Sequence, residues 1–421
     1  MKFLFNIAGK NLFRNKLRTL VSILAISISV AVVVFASGLI DGFLENSFSL
    51  YVDYETGHIR IVDQEYRQRE RLLSLRHTVD GFNQEGLSTM ISQVEDLDGI
   101  ELAVPRIKFG AMTSEGDDMT MLMGWGVDPH KENQFRNLED SIIQGDMFEE
   151  GSNEIMLGLG LLNKLNREVG DRVTLVYNNA YDSFQGRTFE IVGVFESQVP
   201  QISDSIFYLP IDTAQRILAL DDEATELLLI TPSMNNADRY FPEIEEFITD
   251  QDGDGKYTAI LWNRANALIE YMQAAMIIYD FIYVFLILLS SIVVINTMIM
   301  IIKERTQEIG MMSALGLKES EVMKLFIIEG SIMGIVGSFI GAILGGIITW
   351  FSSIHGLSYG EEAFEAMAED FLMNPVIYPV FSSRHMIFAF VLGLIITTIA
   401  CIYPARRAAK MEPSEALRDI E

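Results

Sequence analysis

Residues Lys303–Gly316, KERTQEIGMMSALG, decide how the rest of the chain is read. They follow an apolar run, Phe281–Ile302, and lead to a second one, Gly330–Ile354; neither run contains Asp, Glu, Lys or Arg. Two further runs, Thr19–Ile40 and Met386–Tyr403, share that property. A bilayer core of about 30 Å needs roughly 20 apolar residues in helical form, so all four runs read as membrane spans, the last at the short end. Thirteen residues of Thr19–Ile40 are Leu, Ile, Val or Phe. At about −0.3 to −0.6 kcal/mol each, they favour insertion by roughly 4 to 8 kcal/mol. A cleaved signal peptide is the alternative for this first run, but an h-region of about 7–15 residues is shorter than what is seen. The quoted stretch is then a short amphipathic connector between two spans, closed by the small turn Ala314-Leu315-Gly316.

Basic residues in the flanks set the orientation. Lys2, Lys10, Arg14, Lys16 and Arg18 precede the first run. Lys303, Arg305, Lys318 and Lys324 follow the second, and Arg406, Arg407, Lys410 and Arg418 follow the fourth. The loop after the third run has Arg384 beside Glu361, Glu362, Glu365, Glu369 and Asp370. Basic flanks stay in the cytoplasm. The expected order is a cytoplasmic amphipathic elbow helix at 1–18, a span at 19–40, an extracytoplasmic domain at 41–275 and a span at 281–302. A cytoplasmic connector at 303–324, a span at 325–354, an outer loop at 355–385, a span at 386–403 and a cytoplasmic tail at 404–421 complete it. In the elbow, Phe3, Ile7, Leu12, Phe13 and Leu17 share one side, with Lys10, Arg14 and Lys16 interleaved.

The domain at 41–275 holds 43 acidic and 17 basic residues, so 17 − 43 = −26 of the chain's −27. Such a field repels nucleic acid and anionic headgroups. The one cysteine, Cys401, lies in the fourth run, so this domain depends on its core rather than on disulfides. Its pattern is mixed α+β: strand signals at 57–62, 172–177 and 189–195, and helical spacing at 158–165 and 211–220, with Asp212 placed to cap the latter. Gly/Asp punctuation near 110–120 and 145–153 suggests two lobes.

No residue set nominates a catalytic site. Walker A spacing is absent, the five histidines show no metal-ligand spacing, and Gly-x-Ser-x-Gly does not occur. Asp250, Asp252 and Asp254 match half of a calcium loop, but Leu261 stands where the bidentate Glu belongs, so a polar turn is expected. Tyr177, Tyr181 and Phe184 surround a hairpin tip, where they either anchor a partner or fold back onto their own strands. Gly334, Gly337, Gly341 and Gly345 line one helical face and permit close approach of a neighbour in the same chain or a second copy. Asp280 and Glu329 are expected at the membrane interfaces rather than in a proton path.

Three stretches carry a family resemblance: ERTQEIGMMSALGLKESEVMKLFIIEG (Glu304–Gly330), YPARRAAKMEPSEALRDIE (Tyr403–Glu421) and NEIMLGLGLLNKLNREVGDRVTLV (Asn153–Val176), the last followed by FEIVGVFES and FYLPIDTAQRIL. With the order of one span, a large domain and three spans, the chain resembles FtsX/MacB-type permeases of ABC transporters, a family that includes the LolC and LolE lipoprotein-release subunits. The resemblance implies a MacB-like periplasmic domain and a bacterial inner-membrane location. It also implies a second permease copy or paralogue and a separate LolD-like ATPase that holds ATP and Mg, leaving this chain without a cofactor of its own. Glu304, Arg305, Glu308, Ile309, Gly310, Ala314, Leu315 and Gly316 would couple to that ATPase. The implied activity is extraction of lipoproteins, with transfer to a periplasmic carrier as an added step. Acyl chains would pass Phe35, Leu39, Phe43, Tyr279, Ile282 and Tyr283 at the outer level of the spans, among membrane lipids. A MacB-like efflux permease and an FtsX-like regulator of an envelope hydrolase are the alternatives.

Overall fold

A computed structural model describes residues 7–410 except 9, 10, 13, 15, 116, 117, 198, 254, 266, 315, 316 and 359–374. The described residues fall into two compact units. One draws on Met1–Glu45, Met272–Ser358 and Val376–Glu421; the other draws on Asn46–Tyr271 and Tyr359–Pro375.

The first unit contains four helices long and apolar enough to cross a membrane. Their ends lie beyond the apolar runs. The first helix covers Lys16–Tyr51 and continues as a π-helical turn, Val52–Thr56. The second covers Ala267–Glu304, the third Glu319–His355 and the fourth Ser383–Ala409. Isolated charges such as Asp41, Glu45 and Asp280 do not stop a helix whose backbone bonds continue, so composition understates length at both ends. The connector expected as a 303–324 loop is mostly helical: Thr306–Ala314 forms its own short helix, and the third span helix already begins at Glu319. In the leading segment, Ala8 is fully buried and Leu17 is 79% exposed, so Leu17 does not join a buried face. Phe3, Lys10 and Phe13 of that segment lie outside the described residues, as do the carboxylates of 361–370 and the tail beyond Lys410.

The third span helix packs through its glycines onto neighbours in its own chain. A Cβ at Gly337 would come within 2.8 Å of Ile26 Cβ, one at Gly341 within 2.5 Å of the Ser27 carbonyl oxygen, and one at Gly345 within 2.7 Å of the Ala31 carbonyl oxygen. Backbones meet there because no side chain intervenes. Ser27 Oγ donates to the Gly337 carbonyl at 2.9 Å, which locks the register. Gly334 belongs to a different contact, facing Thr397 of the fourth span helix at 3.2 Å. The row of four glycines therefore serves two neighbours.

The second unit is built on one mixed sheet. Its strands are β1 (Ile59–Asp63), β2 (Leu102–Glu115), β3 (Asp118–Val127), β4 (Ile142–Gly145), β5 (Glu154–Gly158), β6 (Arg172–Asn178), β7 (Phe184–Phe195), β8 (Ile206–Pro210), β9 (Glu226–Ile230) and β10 (Tyr257–Leu261). They run in the order β10-β1-β9-β2-β3-β8-β5-β7-β4, with β6 bridging β2 and β7. Pairs β3–β8 and β5–β7 are parallel. The ladder does not break into two lobes at 110–120; that stretch belongs to the β2–β3 hairpin. The helix expected at 211–220 is Ile211–Leu218, and it starts at Pro210 with no side-chain cap. Asp212 sits inside its first turn, where a carboxylate favours the helix dipole instead.

Charge is buried inside this sheet without a disulfide to secure it. Arg106 on β2 is fully buried and grips Glu132 with both ends of its guanidinium, at 2.6 and 3.1 Å. It also donates to the carbonyls of Asp53 and Tyr54, at 2.9 Å each, and lies 5.2 Å from the Trp125 ring centroid. Arg136 binds the same Glu132. A parallel cluster joins Arg60 and Lys108 to Glu226 at 3.2 and 3.0 Å.

Two measurements follow from this packing. Burial alone would raise the Glu132 carboxyl, but Arg106 and Arg136 outweigh it and hold it down to about 2, from an ordinary 4.5. Its contribution is therefore present above pH 4.5 and is lost as pH falls from there through about 2. Glu132→Gln is expected to cost about 3–5 kcal/mol at pH 7, and to remove that acid-range slope when thermal unfolding is followed against pH. In the first unit, Gly341→Val is expected to cost about 1–3 kcal/mol or more through overpacking. Gly186→Ala, where an added Cβ meets nothing within 4 Å, is expected to leave the melting temperature unchanged.

Candidate functional site

The short helix Thr306–Ala314 is anchored by one buried ion pair and flanked by partly exposed ones. Arg305, just before it, is 5% exposed; its Nη1 meets Glu329 Oε1 of the third span helix at 3.2 Å and its Nε meets Glu308 Oε2 at 3.1 Å. Glu329 is 1% exposed and also accepts from Asn11 Nδ2 at 2.6 Å. Arg14 reaches Glu308 at 2.7 Å, and Arg18 pairs with Glu304. Burial works to raise the Glu308 carboxyl, but the hydrogen bonds from Arg14 and Arg305 hold it below the usual carboxylate range. Glu329 is the buried centre of a polar knot joining the leading segment, the short helix and the third span.

The expected coupling residues consequently separate. Arg305, Ile309 and Gly310 are buried, and Glu308 is half-buried in the knot, so none of these four presents a free side chain. Glu304 and Ala314 are exposed, while Leu315 and Gly316 lie outside the described residues. The outward stripe is Lys303, Gln307, Met311 and Ala314, at steps of four, four and three, with Met311 half exposed. Composition did not single out Gln307 and Met311. The phase of the helix could have shown them once Ile309 was assigned to the inside.

At the other end of this unit, a cavity of about 330 Å³ lies among the first, second and fourth span helices. Of the six residues expected on an acyl path, Tyr279 and Tyr283 line it; Phe35, Leu39, Phe43 and Ile282 do not. The first helix is rotated so that Ser37, Ile40 and Asp41 face the cavity instead. Asp41 pairs with His385 at 2.8 Å on the opposite wall. The cavity therefore mixes apolar and aromatic walls with the polar groups Ser37, Asp41, Asp280, Arg384 and His385, which composition alone did not show.

In the second unit, the hairpin aromatics differ from one another. Tyr181 and Phe184 are exposed at its tip, whereas Tyr177 is buried and meets Phe109 edge-on at 6.1 Å. Strand alternation explains the difference, since Tyr177 falls on the inward phase of β6. Asp252, expected in a half calcium loop, accepts from the Tyr257 backbone N–H at 2.6 Å and so closes a turn; Asp254 lies outside the described residues. Among the described residues, no group of His, Cys, Asp and Glu could hold a metal ion.

Residues 19–247 match the MacB-like periplasmic core domain family, and residues 281–413 match the FtsX-like permease C-terminal family. Among curated relatives, the chain is 24% identical to the lipoprotein-releasing system transmembrane protein LolC of Neisseria meningitidis, over 95% of this chain and 94% of that protein. It is 25% identical to LolE of Haemophilus influenzae over 79% of this chain and 80% of the relative. It is 24% identical to the macrolide export ATP-binding/permease protein MacB of Psychrobacter cryohalolentis, over 96% of this chain and 57% of that longer protein. With four membrane-length helices, a mixed α/β domain inserted after the first, and matches covering both, this chain belongs to the FtsX/MacB family of ABC transporter permeases.

Proposed function

We propose that this chain is the force-transmitting permease subunit of an ABC complex in a bacterial inner membrane, and that the complex extracts lipoproteins using ATP hydrolysed on a separate, LolD-like subunit. The observation that carries the mechanical half is the buried Arg305–Glu329 pair. It fixes the short helix to the third span while leaving Lys303, Gln307, Met311 and Ala314 facing out. A rigid foot with one free face can take up a displacement and pass it into the spans; a floppy loop would absorb it. Basic flanks favour a cytoplasmic position for that foot and both termini, the side on which ATPase subunits would work. Neither catalysis nor nucleotide binding is assigned to this chain itself.

Two observations favour a lipid-modified cargo. The LolC relative aligns over nearly the whole chain, and the cavity bounded by Tyr279, Tyr283 and Phe388, with Asp41, Asp280, Arg384 and His385 also on its walls, offers a partly apolar refuge at one end of the spans. Each acyl methylene left in water costs about 0.8 kcal/mol, so extraction requires such shelter as well as ATP. A second permease, identical or paralogous, would complete the path, and a periplasmic carrier would accept the cargo. The MacB relative, matched over an equal share of this chain, favours efflux of soluble or amphipathic cargo as the second reading.

Depletion separates the two readings. Accumulation of mature lipoproteins in the inner membrane is expected; unchanged sorting with altered sensitivity to amphipathic drugs would favour efflux. Substituting Met311→Asp on the exposed face is expected to weaken ATPase association about tenfold, roughly 1.4 kcal/mol, without affecting membrane insertion. Glu308→Lys, which sets like charges against Arg14 and Arg305, is expected to lower cargo-stimulated ATP hydrolysis at unchanged expression.

A further inference from the structure

Two clefts of the inserted domain meet at Arg69, Leu72, Leu73 and Met123, and their chemistry differs sharply. The first, about 660 Å³, is walled by Leu75, Ala111, Met112, Met121, Val176 and Phe184. Its volume lies within the roughly 300–1,000 Å³ typical of small-molecule sites. Leu72, Met121 and Phe184 stand 74%, 80% and 69% exposed around it, a costly display unless something covers them. Methionine side chains adapt to flexible apolar ligands without needing a fixed shape. Its floor includes Gly110, where an added Cβ would meet only Leu73 Cδ1, at 4.0 Å.

The second cleft, about 580 Å³, is polar. Arg60, Arg67, Arg69 and Lys108 line it, against Glu55 and Glu70, with buried Glu226 behind them. Both lining carboxylates are already engaged: Glu70 by Arg60 at 2.5 Å and Glu55 by Lys108 at 3.1 Å. Arg60 is 2% exposed, yet its Nε has no hydrogen-bond partner among the described residues. That N–H is a buried donor without an acceptor, closed off from the cleft, so Arg67 and Arg69 are the exposed cations on this limb that a ligand can reach. At the junction, Arg69 is exposed and makes no ion pair among the described residues, whereas Arg76 at the far rim is occupied by Asp182. Residues 60–76 carry five arginines and three carboxylates, in a domain whose net charge is −26. The apolar cleft thus opens onto a local patch of positive charge in an otherwise acidic domain.

We propose that this double cleft binds a long-chain acyl anion, with the chain in the Met-lined limb and the carboxylate at Arg67 and Arg69 of the polar limb. A wholly apolar peptide would fill the first limb but leave the cationic one unsatisfied; a soluble anion would do the reverse. The site lies in the inserted domain, apart from the span cavity assigned above, and it stands whether or not the transport reading does.

The test uses the full chain in phosphatidylcholine nanodiscs without any ATPase, probed with a diazirine-bearing stearate. Peptide mapping is expected to place photolabel on 72–76, 110–123 and 176–184. The corresponding diazirine-bearing stearyl alcohol should label these segments about tenfold less at equal free concentration. Gly110→Leu, which fills the floor, and Met121→Asp, at a solvent-exposed rim position that does not support the fold, should each abolish the difference while leaving the melting temperature near that of the parent. If Gly110→Leu does not fold, Met121→Asp alone decides. Label confined to the span helices, label indifferent to Met121→Asp, or equal labelling by the alcohol would overturn the proposal.

Discussion

A carboxylate and a guanidinium withdrawn from solvent between the leading segment and two helices impose order on everything around them. Removing two such ions from water costs several kcal/mol each, and their attraction recovers this only with good geometry and further hydrogen bonds. Arg305 and Glu329 have both: Glu308 and Asn11 satisfy the groups that the pair leaves over. The pair is thus poor evidence of net stabilisation but strong evidence of a single arrangement, because either ion alone would be untenable there. This is why the short helix presents one face to solvent and keeps the rest inward. In this chain the short helix is defined more by what it hides than by the charges it displays.

The inserted domain solves a related problem. With no disulfide and a large negative charge, it holds its sheet together with arginines whose partners are also buried: Arg106 with Glu132, and Arg60 with Glu226. These clusters join strands far apart in sequence, and Arg106 additionally binds the carbonyls of the π-helical turn at Asp53 and Tyr54. A turn that leaves ordinary α-helical hydrogen bonding has carbonyls to satisfy, and a buried guanidinium satisfies two of them here. The same strategy leaves Arg60 Nε in one cluster and Arg136 Nη2 in the other buried without a hydrogen-bond partner.

Much of this was legible in the residues. Four uncharged apolar runs gave the spans, the alternation in 172–177 and 189–195 gave β6 and most of β7, and the glycines of the third span announced close helix contact. What remained illegible has physical causes. The helices outrun the apolar runs because Asp41 and Asp280 interrupt hydrophobicity without interrupting backbone bonding. The burial of Glu329 could not be read because its partner, Arg305, is 24 residues away in the chain. Tyr177 stood between two readings because a hairpin's register, not its composition, decides which face is buried. The acyl-path residues on the first span were chosen by aromatic character and depth, whereas helix rotation places Ser37, Ile40 and Asp41 on the cavity. Side-chain direction in a bundle depends on neighbours that a linear pattern does not display.

The central claim is that the segment after the second span is a rigid handle on the cytoplasmic side, seized there by an ATPase. The most direct measurement is labelling of a single cysteine at Met311 (M311C in a C401S background) by a membrane-impermeant maleimide. It should be modified in inside-out vesicles, become protected when the ATPase subunit is added, and stay unmodified in intact spheroplasts. Modification from the outer face of spheroplasts would contradict the account.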